Sequence, residues 1–177
     1  MGKKTRQATK KDGLSRNLKL IIALCVLGII FSSYLMFQHY SEEKDPFCDA
    51  LGGGCNIVNK GPYSEIDGIL MEMFGIYVNF PVPVSLIGLL GFAVTIVLSL
   101  FILKGKSLIL GKKKLAHGQL IRIMFWLNLL GWFFALFLTY IEFVIMQTFC
   151  IYCDITKTTF TIVLIISWIN LRYAGKK

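Results

Sequence analysis

The chain has 177 residues, of which 55% are hydrophobic and only 16% charged, and its mean hydropathy is +0.66. This excludes an ordinary water-soluble domain and points to an integral membrane protein. The net charge of +9 does not call for a nucleic-acid partner: the lysines and arginines gather beside the ends of apolar segments, where they mark topology and contact with anionic lipid, and no aromatic residue interleaves with them in the N-terminal tail.

Residues 1–17 form a basic tail (Lys3, Lys4, Arg6, Lys10, Lys11, Arg16), followed by Lys19 and a first apolar segment over 18–40. That segment is longer than a signal-peptide core and lacks a small-residue cleavage site, so it reads as retained. The connection 41–81 is acidic, with Glu42, Glu43, Asp45, Asp49, Glu65, Asp67 and Glu72 against Lys44 and Lys60. Cys48 and Cys55 bracket Gly52, Gly53 and Gly54 in it, and three glycines give the backbone freedom to swing a sulfur. Ser64-Glu65-Ile66-Asp67 has the form of a capping box, and Ile66, Ile69, Leu70, Met73 and Phe74 then recur at helical spacing. This predicts a short amphipathic helix on the outer surface, either a lid over a pocket between the spans or an interfacial anchor. Pro81 and Pro83 turn the chain into a second apolar segment, 82–103. A basic connection (Lys104, Lys106, Lys112, Lys113, Lys114) leads to the third, 120–144, with Arg122 and Glu142 near its two ends, and the fourth covers 150–173. Residues 174–177 close the chain with two lysines.

Each apolar segment is near the roughly 20 residues that a spanning helix needs. The expected fold is an all-α membrane protein, a four-transmembrane-helix bundle over 18–173 with a short amphipathic helix in the first outer loop. By the positive-inside rule both termini and the 104–119 connection lie in the cytoplasm and the 41–81 loop lies outside, which suits an inner or plasma membrane.

Four cysteines then share the outer side: Cys48 and Cys55 in the loop, Cys150 and Cys153 where the fourth segment begins. At i and i+3 the latter two sit on one face of a helix, in its first turn, where the helix N-terminus favours a thiolate. Cys25 lies about 22 Å below the outer surface at about 1.5 Å per residue, too deep for disulfide exchange, and reads as a packing residue. Two static disulfides remain a possible use of the four cysteines. A glycine-hinged pair facing water and a fixed pair facing lipid point instead to a relay of electrons to a lipid-soluble oxidant. The rival is a non-enzymatic membrane protein whose four cysteines bind zinc or copper, but no histidine stands at ligand spacing, and no metal is expected. His39 and His117 fall on opposite sides and are expected to be solvent-exposed, and Asn128 is placed to bond across to a neighbouring helix.

The loop cysteine pair, the segment Phe74-Gly75-Ile76, the run Pro83-Val84-Ser85-Leu86-Ile87-Gly88 and Cys150-Ile151-Tyr152-Cys153 together resemble the vitamin K epoxide reductase family in its prokaryotic form, over roughly 18–173. The resemblance implies a bundle around a quinone of the ubiquinone or menaquinone type, with oxidising equivalents passed outward to a thioredoxin-fold partner. It implies Cys153 as the quinone-proximal thiol, Cys150 as its partner, Cys55 as the loop thiol that reaches Cys150, and Cys48 as the one that meets the external protein. Phe74, Ser85 and Lys157 are the implied quinone contacts. The chain departs from the family at Gly61, where relatives carry a serine, at Lys157, where some carry a tyrosine, and over 77–81, which looks like added length. Lys157 has two readings, beside Cys153 and the quinone or turned outward to Asp154. The chain ends at Lys177 without a thioredoxin domain, so a separate partner is expected. The resting pairing, Cys48 with Cys55 or Cys55 with Cys150, stays open.

Overall fold

The structure is a computed structural model and describes residues 2–43, 45–50, 53–105, 108–110, 113–115 and 117–175. Lys44, Gly52, Lys106, Lys112, Lys176 and Lys177 lie outside the described residues. In chain order the elements are α1 (Gly2–Tyr40), α2 (Pro46–Ala50), α3 (Cys55–Lys60), α4 (Ile66–Phe74), α5 (Val84–Leu103), β1 (Leu108–Leu110), β2 (Lys113–Leu115), α6 (His117–Tyr140), which continues as a π-helical turn over Ile141–Ile145, and α7 (Ile151–Gly175).

Four stretches are long and apolar enough to cross a bilayer: Asp12–Tyr40, Val84–Leu103, His117–Ile145 and Ile151–Tyr173. In hydrocarbon each backbone N–H and C=O has to be satisfied internally, which a continuous helix does. The protein is therefore an all-α, multi-pass membrane protein with four spans. α1 begins about four turns before the apolar segment at Leu18, at about 3.6 residues per turn. The connection between α5 and α6 contains a short antiparallel hairpin, Leu108 opposite Leu115, which the sequence pattern did not suggest.

The spans pack around Leu18, Ile21 and Cys25 of α1, Phe92, Leu98 and Ile102 of α5, Leu120, Ile121 and Met124 of α6, and Phe160, Val163 and Ile166 of α7. Cys25 is fully buried there, as a packing residue would be. Lipid tails are as apolar as leucine, so it is close fit and hydrogen bonds that select helix partners. The fit is tightest at the aromatic pair Phe92 and Phe160, whose ring centroids are 4.7 Å apart. A Cβ on Gly28 would lie 2.5 Å from the Phe92 ring and one on Gly131 2.6 Å from the Phe160 ring, so glycine at both places lets the rings in. Asn128 donates to Met124 O at 2.8 Å and to Ser167 Oγ at 3.4 Å and accepts from Thr95 Oγ1 at 3.2 Å, joining α6 to α5 and α7 as its place in an apolar run suggested.

The capping box at α4 does not form. Ser64 Oγ donates to Gly61 O at 2.6 Å, and the N-cap residue is Glu65 without a side-chain cap. The reason lies in the backbone: Val84 N–H donates to Ser64 O and Ile66 N–H to Val82 O, a bridge that ties the start of α4 to the start of α5 and turns Ser64 away from the cap.

Candidate active site

Cys48 and Cys55 are joined by a disulfide, with their Cα atoms 6.1 Å apart, and Cys150 and Cys153 are free thiols. Cys48, Cys55 and Cys150 form one buried cluster with Leu35, against which Val58, Ile151, Tyr152 and Cys153 pack. All four cysteines singled out in the sequence therefore meet at one end of the bundle.

The loop pair does not face water as expected: Cys48 is fully buried and Cys55 nearly so. Nor do the described glycines act as a swing. Gly54 N–H donates to Phe149 O at 2.7 Å, and a Cβ on Gly53 would stand 2.7 Å from Cys48 Sγ and 3.3 Å from Phe149 O. Bare backbone at Gly53 and Gly54 lets the loop lie directly on the segment that leads into Cys150.

Asp45 holds the other side of the loop. Its Oδ1 accepts from the N–H groups of Phe47 at 2.9 Å and Cys48 at 3.2 Å, capping α2, and its Oδ2 accepts from Tyr34 Oη at 2.7 Å. Burial opposes ionisation of this carboxyl, but the hydrogen bonds from Tyr34, Cys48, Tyr152 and Phe47 outweigh it and hold Asp45 below the ordinary carboxylate value. Tyr152 lies between Cys150 and Cys153 and packs on Tyr34, with ring centroids 5.0 Å apart, and on Phe47 at 6.4 Å. A residue inside the Cys150–Cys153 motif thus supports the loop that carries the disulfide.

Below the cluster a cavity of about 660 Å³ opens between α5 and α6, walled by Ile87, Leu127, Phe134, Leu138 and Phe160 among others and roofed by Val58, Tyr63 and Met146. This is within the size range of small-molecule sites, about 300–1,000 Å³. Leu130 and Phe133 of α6 line it and are also 73% and 57% exposed, so the cavity opens on the flank of the bundle. Cys153 stands in its wall, one turn below Cys150, whose Sγ accepts the Cys153 N–H at 3.3 Å. Ser32 Oγ and Ser85 Oγ also line it, and both are buried without a hydrogen-bond partner. Two orphaned hydroxyls in an apolar chamber fit a flat ring bearing carbonyl oxygens, since buried donors without acceptors are costly. Ser85 was expected here and Ser32 was not. Phe74 is 64% exposed and is not a lining residue, and α4 as a whole gives the cavity no wall.

Lys157 lines the cavity as well, with its side chain only 14% exposed. It bonds Asp154 Oδ1 at 2.7 Å, as one reading proposed, yet it does not turn outward, because its ammonium is also ion-paired with Glu142 Oε2. Glu142, in the sequence only a charge near one end of the third apolar segment, stands at the centre of this group. It sits in the π-helical turn that ends α6, its side chain is 3% exposed, and its Oε1 accepts the Cys150 N–H at 2.7 Å. The signal was present, since a carboxylate inside an apolar span marks a candidate functional site.

A second cavity, of about 710 Å³, lies between the end of α1, α3 and α4, and no cysteine lines it. His39 borders it, and the expectation of a solvent-exposed ring fails: its side chain is 9% exposed, with Nδ1 2.6 Å from Asn59 O and Nε2 3.1 Å from Glu65 Oε1. The ring bridges α3 to the start of α4, which only the tertiary fold brings together. His117 is exposed. Among the described residues no three His, Cys, Asp or Glu side chains are grouped to hold a metal ion.

A model of the vitamin K epoxide reductase family matches residues 19–168. The chain belongs to that family. The match takes in all four cysteines of the site, both hydroxyls and the Glu142–Lys157 pair. Membership makes this vitamin K epoxide reductase family protein, in general terms, a quinone-linked thiol oxidoreductase of a membrane.

Proposed function

We propose that this protein generates disulfides in a separate thioredoxin-fold partner on the loop side and passes the electrons to a quinone of the ubiquinone or menaquinone type. Cys48 receives the partner's thiolate, Cys55 exchanges with Cys150, and Cys150 with Cys153 closes the circuit at the cavity. A bound quinone supplies a two-electron, two-proton acceptor. Ser32 and Ser85 hydroxyls and the Lys157 ammonium would hold its carbonyl oxygens, and the apolar walls would exclude water. The lysine- and arginine-rich segments argue for cytoplasmic termini and outward-facing redox cysteines in an inner or plasma membrane.

The observation that carries this reading is the division of labour along one helical turn: Cys150 is buried beside the loop disulfide, and Cys153 is in the cavity wall. A relay needs one sulfur facing each way. A metal-thiolate role is disfavoured because the disulfide leaves the loop without thiolates.

The test is quinone reduction by purified protein in detergent, driven by a dithiol. Activity is expected in the parent and absent in Cys153→Ser, whereas Cys48→Ser keeps activity with a small dithiol and loses oxidation of a thioredoxin-fold protein. No turnover of the parent with ubiquinone or menaquinone analogues overturns the reading.

A further inference from the structure

The cavity is apolar except for a few groups, and one buried ion pair stands where sulfur meets acceptor. Glu142 touches both sides of the chemistry: Oε1 holds the Cys150 N–H, and Oε2 holds the Lys157 ammonium. Lys157 lies four residues after Cys153, on the same helix face, and both line the cavity with Glu142. Exposure rises along the series from Glu142 at 3% through Lys157 at 14% to Asp154 at 28%. A carboxylate and an ammonium are costly to bury in a membrane protein, and simple adhesion between α6 and α7 would be served as well by apolar residues.

We propose that Glu142 and Lys157 carry protons from the Cys150 and Cys153 thiols to the oxygen atoms of the acceptor in the cavity. This rests on the quinone reading above and assigns the protons that reading leaves unassigned. When the Cys150–Cys153 bond forms, the two thiols lose two electrons and two protons, and the acceptor's two carbonyl oxygens take up the same number of each. Glu142 accepts a thiol proton as its ionised carboxylate. Lys157 would deliver one from its ammonium to an acceptor oxygen and be reprotonated by Glu142, and a second passage by the same route would move the second proton, so the pair ends each turnover as it began. Asp154 steadies Lys157 and connects it to the exposed surface.

The experiment compares the parent with Glu142→Gln, which keeps an acceptor for the Cys150 N–H, and with the double variant Glu142→Gln/Lys157→Met, which removes both charges together. Three quantities are read: melting temperature, the rate of quinone reduction driven by a dithiol, and the pH profile of Cys153 alkylation in reduced, quinone-free protein, followed by mass spectrometry. The ionisable groups beside the pair are Cys150 just before α7, Cys153 and Asp154 on α7 and Tyr63 above the cavity, and all stay in place in both variants. The double variant is expected to melt near the parent, because the buried carboxylate and ammonium go together and Asp154, which loses its partner, is 28% exposed to solvent, yet to reduce quinone about 100-fold more slowly, the scale of a lost general acid or base. Its alkylation profile shifts as well. A double variant that regains both melting temperature and rate makes the pair structural and overturns the proposal. So does Glu142→Gln within threefold of the parent with an unchanged alkylation profile. If the parent itself reduces no quinone, the functional reading fails, while the alkylation profile still reports whether Glu142 takes the Cys153 proton.

Discussion

Asp45 shows how a single carboxylate holds the loop that carries the disulfide. It caps α2 through the Cys48 N–H and accepts the Tyr34 hydroxyl, and these bonds hold its carboxyl below the ordinary value against the opposing effect of burial. A group with a depressed native value stabilises the fold fully above its unfolded value of about 3.9, and the contribution is lost as pH falls through the native one. Asp45→Ala is expected to cost about 1–2 kcal/mol at neutral pH, from the lost cap and the orphaned Tyr34 hydroxyl. The difference from the parent should shrink below about pH 4 in denaturation curves. The same variant should speed reduction of Cys48–Cys55 by dithiothreitol at pH 7, since Cys48 then loses its cover. At this scale the meeting of the four cysteines was legible because their spacing and their place at apolar boundaries put them at one end of the bundle. Ser32, Glu142 and His39 were not, because each is defined by partners far away in the chain. His39 was expected in solvent, and a ring bonded at both nitrogens cannot be foreseen without knowing that Asn59 and Glu65 come to it.

Among the elements, the four spans were readable from apolar length alone, since bilayer thickness fixes it. Their pairing was not, because it depends on where glycine meets an aromatic ring. Gly131→Leu places carbon where the Phe160 ring now lies and is expected to destabilise the bundle by about 1–3 kcal/mol, the cost of overpacking, measurable as a lower melting temperature. It should also raise quinone KM, since Phe160 is part of the cavity wall. The short loop elements were read less well. The glycines beside Cys55 suggested mobility, and two of them instead let the loop backbone reach Phe149. Gly53→Val is expected to lift the loop from that segment and slow transfer between Cys55 and Cys150. Turnover with a thioredoxin-fold protein should then fall at least tenfold, while turnover with a small dithiol that attacks Cys150–Cys153 directly is largely retained.

For the whole molecule, the distribution of charge sets a direction. The basic termini and the acidic 41–81 loop predict that an impermeant maleimide on intact cells labels Glu43→Cys above the parent background and labels Asp12→Cys only after permeabilisation. Labelling in the reverse order would place the redox cysteines in the reducing compartment and remove the case for disulfide export. The flank of the bundle has a different consequence. Because Leu130 and Phe133 both line the chamber and lie exposed on the outside of α6, its doorway faces acyl chains rather than water. An acceptor entering sideways is met at its mole fraction in the surrounding lipid or micelle, so the saturation curve follows two-dimensional concentration. Adding empty detergent micelles at fixed total quinone should raise the apparent KM by surface dilution, leave kcat in place, and mimic a competitive inhibitor that contains no quinone at all.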